Sequence, residues 1–198
     1  MVDVLQCGAS NIRSVLNALA FLDIDARILT TSEELSHATC LIFPGVGHFG
    51  YVSRTLQEKG LWSTLKSRLD TGLPFLGICL GMQLLFESSE EAPGAPGLGL
   101  VPGAVEMLQH PRIPQIGWNH VSPTGISSLI QDGDAYFVNS YAVRSTAPDI
   151  TTAYSEYGKT FVSAINKQNI TGVQFHPEKS GSYGLHLLRE WCRSHDAT

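Results

Sequence analysis

Hydrophobic and polar positions alternate along the first half of the chain in a way that predicts strand and helix by turns. Val2 to Leu5 is a short apolar run ending at Gly8, the pattern of a buried strand. Ser10 is then placed to cap a helix in which Ile12, Val15, Leu16 and Leu19 recur at helical spacing. Ile24 to Leu29 alternates Ile24, Ala26 and Ile28 with Asp23, Asp25 and Arg27, predicting a second strand. A third covers Leu41 to Phe43 and stops at Pro44-Gly45-Val46-Gly47. A helical stretch runs from Tyr51 to Leu69 with an interruption at Gly60. It is followed by a fourth strand, Pro74 to Ile78, and a helical segment from Leu80 to Phe86. This alternation predicts a parallel sheet with helices on both faces.

Pro93 to Pro102 is rich in Pro and Gly and reads as loop. Beyond it come short strand-like runs at Val105 to Leu108, Tyr136 to Val138, Thr151 to Tyr154, Phe161 to Ile165 and Val173 to Phe175. Loops rather than helices separate them, so antiparallel additions to the sheet are expected. A last helix spans Tyr183 to Arg193, with Leu187, Leu188 and Trp191 on one face. There is no repeat and no break in composition. The expected architecture is a single α/β domain over residues 1–198, a mostly parallel central sheet flanked by helices with antiparallel strands added in the second half.

Composition narrows the function classes. With 198 residues and 43% hydrophobic positions, the chain has enough material for one substantial core. Only 16% of residues are charged, which excludes a disordered, solvating segment. The net charge of −5 argues against duplex nucleic acid or an anionic membrane as the main partner. No apolar run approaches the roughly 18 residues of a membrane span. The first residues are too short and uncharged for a signal peptide, and Cys7, Cys40, Cys79 and Cys192 form no C-x-x-C pair. Reduced thiols and a cytoplasmic location are therefore expected.

The most informative stretch is Gly77-Ile78-Cys79-Leu80-Gly81, between a buried-type strand and a helix. This is the G-x-nucleophile-x-G spacing of a nucleophile elbow. Small flanking residues permit the sharp turn, the following helix N-terminus favours a thiolate, and the Leu80 amide points where an oxyanion would form. An ordinary buried cysteine is the alternative, and it is the reading adopted for Cys7, Cys40 and Cys192.

A cysteine nucleophile needs an imidazole and a group to orient it. Of seven histidines, His37, His186 and His195 read as surface residues, and His110 and His120 lie beside loops without an acidic partner in register. His48 follows the Pro-Gly-Val-Gly loop and is expected to be exposed. His176 differs, standing after an apolar strand in Phe175-His176-Pro177-Glu178-Lys179-Ser180. Pro177 holds His176 extended, and residues two apart in extended chain share a side, which places Glu178 to bond the imidazole. A Glu capping the last helix is the structural alternative.

These residues resemble the class I (triad) glutamine amidotransferases, whose fold is flavodoxin-like and which hydrolyse glutamine through a thioester on an elbow cysteine. Pro44-Gly45-Val46-Gly47, Ile116-Gly117-Trp118-Asn119 and His176-Pro177-Glu178-Lys179-Ser180-Gly181 look like the oxyanion loop, Gly-Trp-Asn motif and His-Pro-Glu signature of one branch, the glutaminase subunits of imidazole glycerol phosphate synthase. The likeness runs from Val4 to about Trp191.

The resemblance implies Cys79 as nucleophile, His176 as base and then acid, and Glu178 as its orienter. It implies oxyanion donors at Leu80 and the Val46-Gly47 region, and substrate contacts at Gln83, Ser140 and Tyr141. Asn11, Trp118 and Lys179 match positions facing a partner, a (β/α)₈-barrel cyclase expected to form a heterodimer with this chain and to receive its ammonia. L-glutamine is the implied substrate, with no cofactor and no metal. Two positions depart from the family pattern: Asn139 stands where His is usual, and Gln6 where Asp is common. Neither belongs to the triad. Alternatives are a glutaminase serving another synthase (anthranilate or pyridoxal phosphate type), a non-catalytic module on the same fold, and a general cysteine hydrolase.

Overall fold

The computed structural model describes residues 1–8, 11–125 and 129–196, so the expected cap Ser10 lies outside the described residues. The chain runs β1 (Val2–Leu5), α1 (Ile12–Phe21), β2 (Ala26–Leu29), α2 (Ser32–Ser36), β3 (Leu41–Gly45), α3 (Phe49–Glu58) and α4 (Leu61–Asp70). It continues with β4 (Phe75–Cys79), α5 (Leu80–Gln83), β5 (Ser88–Ser89), β6 (Ala104–Met107), β7 (Gln115–Pro123) and β8 (Gly133–Asn139). The remainder is β9 (Tyr141–Val143), β10 (Thr151–Tyr157), β11 (Lys159–Lys167), β12 (Ile170–Val173), a 3₁₀ turn at Pro177–Lys179 and α6 (Gly181–Ser194).

The strands line up as β2-β1-β3-β4-β12-β11-β10-β7-β8, with β5, β6 and β9 attached beside β11. From β2 to β12 every pairing is parallel, and from β12 to β8 every pairing is antiparallel. This is the expected parallel α/β sheet with antiparallel additions. β1, β3, β4 and β12 are buried at every position, as the middle strands of a sheet covered on both faces must be.

Alternate residues of these strands feed two cores. Leu5, Leu41, Phe43 and Phe75 pack against Leu35 of α2, Val52 and Leu56 of α3, and Leu65 and Leu69 of α4. Val2, Val4, Ile42, Leu76 and Ile78 face the other way, onto Val15 and Leu19 of α1 and Leu187, Leu188 and Trp191 of α6.

Several elements differ from expectation, each for a local reason. β2 begins at Ala26 rather than Ile24, because Asp23 takes a left-handed turn at φ 57° and Ile24 packs as an apolar anchor ahead of the strand. β3 continues through Pro44 and Gly45, which pair with Ile78 and Cys79. Its neighbour β1 matches it only to Ile42, so the missing Pro N–H falls where the strand has one partner. The helix expected over Leu80 to Phe86 stops at Gln83. There the carbonyls of Leu84, Leu85, Phe86 and Glu87 accept N–H groups from the 97–101 loop instead of from a further helical turn.

β12 covers Ile170–Val173 rather than Val173–Phe175; polar Thr171 and Gly172 obscure an apolar pattern, although Thr171 is buried. β7 is an added strand, unseen in the pattern because Ile116 and Trp118 lie on its exposed side. The short helix α2 has a capping box, Thr31 with Glu34, that the sequence does display.

Helix α6 is seated tightly on the 3₁₀ turn that precedes it. A Cβ on Gly184 would press into the Pro177 carbonyl oxygen and sit 2.5 Å from its carbon, a collision with backbone rather than with a movable side chain. Gly184→Ala is therefore expected to destabilise the protein by about 2–3 kcal/mol, as overpacking does. Thermal denaturation would read this as a Tm lowered by several degrees, at ~2–4 °C per kcal/mol for a chain of this size.

Candidate active site

β4 ends at Cys79 and α5 starts at Leu80, with no residue between them. The turn puts Cys79 at φ 54° and ψ −108°, a strained conformation for a residue with a side chain. The glycines around it are required by contact. A Cβ on Gly81 would overlap the Phe43 carbonyl oxygen, and one on Gly77 would lie 2.7 Å from the Gly81 oxygen. Gly45, across on β3, would meet the Gly81 nitrogen at 2.8 Å. Side-chain-free packing on three sides thus holds the elbow in place. Because α5 is a single turn, its dipole is small, and the helix makes a lesser contribution to the field at the sulfur than the sequence suggested.

His176 follows β12 by a short bend. Its backbone N–H donates to the Tyr136 carbonyl at 2.8 Å. The Ser180 hydroxyl donates to the His176 carbonyl at 2.6 Å and accepts from the Tyr136 N–H at 2.9 Å, pinning the residue to β8. His176 is extended, as Pro177 requires, but Glu178 lies in the 3₁₀ turn rather than in an extended chain. The turn brings the carboxylate back to the ring, where Oε1 accepts from Nδ1 at 2.8 Å. The same oxygen also accepts from Asn11 Nδ2 at 3.3 Å. With Nδ1 occupied, Nε2 is the nitrogen left for the Cys79 sulfur, whose charge acts on the ring. Burial alone would depress the imidazolium. The Cys79 sulfur, and then Glu178, outweigh it and raise the His176 pKa from 6.5 to about 10.

Cys79, His176, Gln83, Ser140 and Tyr141 line one cavity of about 240 Å³, with Val46, Gly47, Leu80, Asn139, Glu91 and Lys179 around it. Its volume is below the ~300–1,000 Å³ of pockets for drug-sized ligands and suits a molecule of amino-acid size. Gln83 is buried, not a surface helix residue; its Nε2 donates to the Tyr141 carbonyl at 2.9 Å and to Gln174 Oε1 at 3.0 Å. Gln174 Nε2 in turn donates to the Cys79 sulfur at 3.6 Å. With both its N–H bonds engaged, Gln83 has only its carbonyl oxygen to offer a ligand. Asn139, the departure from the family pattern, also donates to the Tyr141 carbonyl, at 3.0 Å.

Sequence reasoning missed two lining or supporting residues. Gln174 carried a signal, a polar residue inside the apolar run Val173-Gln174-Phe175. Glu91 carried none; its Oε2 accepts the Phe49 N–H at the start of α3 at 2.6 Å while the residue borders the cavity.

The residues expected to face a partner separate in the structure. Ile116 (64% exposed) and Trp118 (59%) stand out from β7, an unusual exposure for large apolar side chains. Lys179 is exposed at the cavity rim, whereas Asn11 is partly buried against Glu178. Gln6 is only partly buried, at the end of β1.

Of the other histidines, His48 caps α3 and is exposed. His120 does have acidic partners: it lies on β7, with Asp134 at 3.0 Å and Asp132 at 3.2 Å, because the β7–β8 register places it opposite Asp134. Burial pushes the Cys7 thiol up to about 11 and those of Cys40 and Cys192 up to about 12, as befits inert core cysteines. Among the described residues, no group of three or more His, Cys, Asp or Glu is placed to share a metal ion. Nor is any described helix long and apolar enough to cross a membrane.

A raised folded-state pKa means that the charge on His176 stabilises the fold fully below pH 6.5 and that this contribution is lost as pH rises through about 10. An NMR titration of the His176 ring is expected to show it still protonated at pH 8 in the intact protein. In Cys79→Ala the midpoint should fall, since the sulfur is the largest of the raising influences. A midpoint near 6.5 in the intact protein would contradict this electrostatic account.

The chain matches the family described as glutamine amidotransferase class-I over residues 3–193. It is 41% identical to the imidazole glycerol phosphate synthase subunit HisH of Deinococcus radiodurans, covering 96% of this chain and 92% of that one. It is 41% identical to a subunit of the same name in Thermus thermophilus, over 93% of each chain. Among solved structures, one described as a glutamine amidotransferase superposes with a TM-score of 0.79 at 22% identity, over 98% of both chains, a likeness of fold. The match across nearly the whole chain and the 41% identity together mean that this chain belongs to the class-I glutamine amidotransferase family.

Proposed function

We propose that this chain, as a single amidotransferase domain, is the glutaminase subunit of an imidazole glycerol phosphate synthase. It hydrolyses glutamine to glutamate and ammonia for a separate cyclase in histidine biosynthesis. The observation that carries the chemistry is the grouping of Cys79 and His176 on one cavity of amino-acid size, with the His176 ring bonded to the buried Glu178 carboxylate. The Cys79 thiolate attacks the carboxamide carbon of glutamine. The carbonyl electrons move onto oxygen, held by N–H groups of Leu80 and the Val46-Gly47 segment; loss of one such donor typically costs ~10²–10³ in rate. His176 gives its proton to the departing ammonia, then takes one from water as that water attacks the thioester. Glutamate leaves, and the Cys79 thiolate and protonated His176 are restored.

Substrate contacts follow from what is already committed inside the protein. Gln83 presents an oxygen, the partner for a substrate N–H. The Ser140 carbonyl accepts from Leu108 N–H at 2.9 Å and the Tyr141 carbonyl from Gln83 and Asn139, so backbone amides are what this segment retains for a carboxylate.

Ammonia released into water would be protonated and lost as a nucleophile, so the reaction calls for an acceptor site close by. The exposed Ile116 and Trp118 on β7, with Lys179 at the rim of the cavity, make the face we assign to a (β/α)₈-barrel cyclase in a heterodimer. The relative named imidazole glycerol phosphate synthase hisHF in Arabidopsis thaliana supports this arrangement. This chain covers only 34% of its length, leaving room for a second catalytic unit on one polypeptide. Four unpaired cysteines support a reducing, cytoplasmic setting.

Cys79→Ala is expected to abolish glutamine hydrolysis while the complex still uses added ammonium salts for synthesis; retained glutaminase would remove Cys79 from its role. Trp118→Ala is expected to weaken cyclase binding by at least tenfold, the ~2 kcal/mol scale of a buried aromatic anchor. Titration calorimetry would measure it, and unchanged affinity would place the interface elsewhere.

A further inference from the structure

The triad leaves two contacts of the nucleophile unexplained: a long one, at 3.9 Å, in which the thiol faces the Val138 carbonyl as acceptor, and a shorter one from a fully buried amide on a residue that is neither base nor orienter. Gln174 is 0% exposed, and its Nε2 stands 3.6 Å from Cys79 Sγ. The direction of this contact follows from the atoms beyond it. The Tyr141 carbonyl can only accept, so the Gln83 atom facing it at 2.9 Å is the nitrogen. That same nitrogen lies 3.0 Å from the Gln174 side-chain amide, whose near atom must therefore be its oxygen. The far atom, against the sulfur, is then the NH₂ group. A backbone carbonyl on β9 thus sets the polarity of two side-chain amides and ensures that the sulfur receives an N–H.

A hydrogen bond donated to the charged form of an acid favours that form. We propose that Gln174 is a positioning residue, held by Gln83 and the Tyr141 carbonyl, that donates to the Cys79 sulfur, fixes its rotamer and favours the thiolate before substrate binds. The single-turn helix α5 contributes little dipole, which gives this contact more of the task. The titratable and charged groups facing the sulfur are His176, from the segment after β12, with Glu178 behind it, and Lys179, Glu91 and Tyr141 around the cavity. None of them donates from the direction of Gln174. Because Gln83 joins this amide to the cavity, the same relay links a substrate-contact position to the state of the nucleophile.

The purpose of the relay rests on the glutaminase reading, but its main readout does not. The rate of Cys79 alkylation by iodoacetamide, followed by mass spectrometry against pH, reports thiolate directly in the whole chain. Gln174→Met keeps the length and removes the donor. It is expected to move the alkylation inflection up by about one pH unit, the scale of a single lost hydrogen bond to an ion, with labelling at pH 7 slowed up to about tenfold. Gln174→Glu, which places an acceptor and a charge against the sulfur, is expected to move it further.

In the glutaminase assay with the cyclase present, Gln174→Met should lose kcat/KM at pH 7 and recover part of it at higher pH. A merely structural role would give a loss that pH does not restore. An unmoved inflection in folded Gln174→Met overturns the proposal. Should that variant fail to fold, an inflection unmoved in Gln174→Glu overturns it equally. Absence of glutaminase activity in the unsubstituted complex would refute the functional reading while leaving the alkylation profiles to decide the relay.

Discussion

The site depends on a contact in which no side chain takes part: the backbone of Gly81 lying against the carbonyl of Phe43. That approach brings the first turn after β4 down onto β3, and only a residue without a Cβ allows it. From it follow the sharp junction at Cys79, its positive φ, and the projection of the thiol beyond the carboxyl end of the sheet. Local strain of this kind costs on the order of 1–3 kcal/mol and persists only where the surroundings over-determine it. Here those surroundings are β3 on one side and β12 on the other, both buried along their full length.

Around that fixed sulfur the electrostatics are arranged from three directions. His176 approaches with its far nitrogen already committed to Glu178, Gln174 supplies an N–H from within the core, and the cavity opens on the remaining side. Glu178 directs one oxygen at two donors, Asn11 and His176. Asn11 is therefore placed to hold the Glu178 carboxylate, and a change at the start of α1 has a physical route to the imidazole.

The elbow was legible in the sequence because two glycines flank Cys79, whereas Glu178 meets His176 by a route the sequence did not show, a 3₁₀ turn in place of extended chain. Most of the parallel half was legible because β1, β3 and β4 are largely apolar runs, while the pattern of β12 was displaced because Thr171 and Gly172 break it. What escaped notice was whatever depends on distant chain. β7 was hidden because Ile116 and Trp118 point outward, reversing the usual relation of pattern to burial. α5 was overestimated because the 97–101 loop, not the helix sequence itself, decides where the helical bonding ends. The His120 pair with Asp134 required the β7–β8 register, and the contact from Gln174 to the sulfur spans 95 residues.

The parallel pairing of β4 with β12 joins the nucleophile to the last strand in the chain, Ile78 opposite Val173. During synthesis the elbow leaves the ribosome early, but its imidazole and carboxylate belong to residues made nearly a hundred positions later. Until β12 has slotted between β4 and β11, His176 is not held beside the sulfur and the cavity lacks one wall. Assembly of the site is thus tied to completion of the sheet.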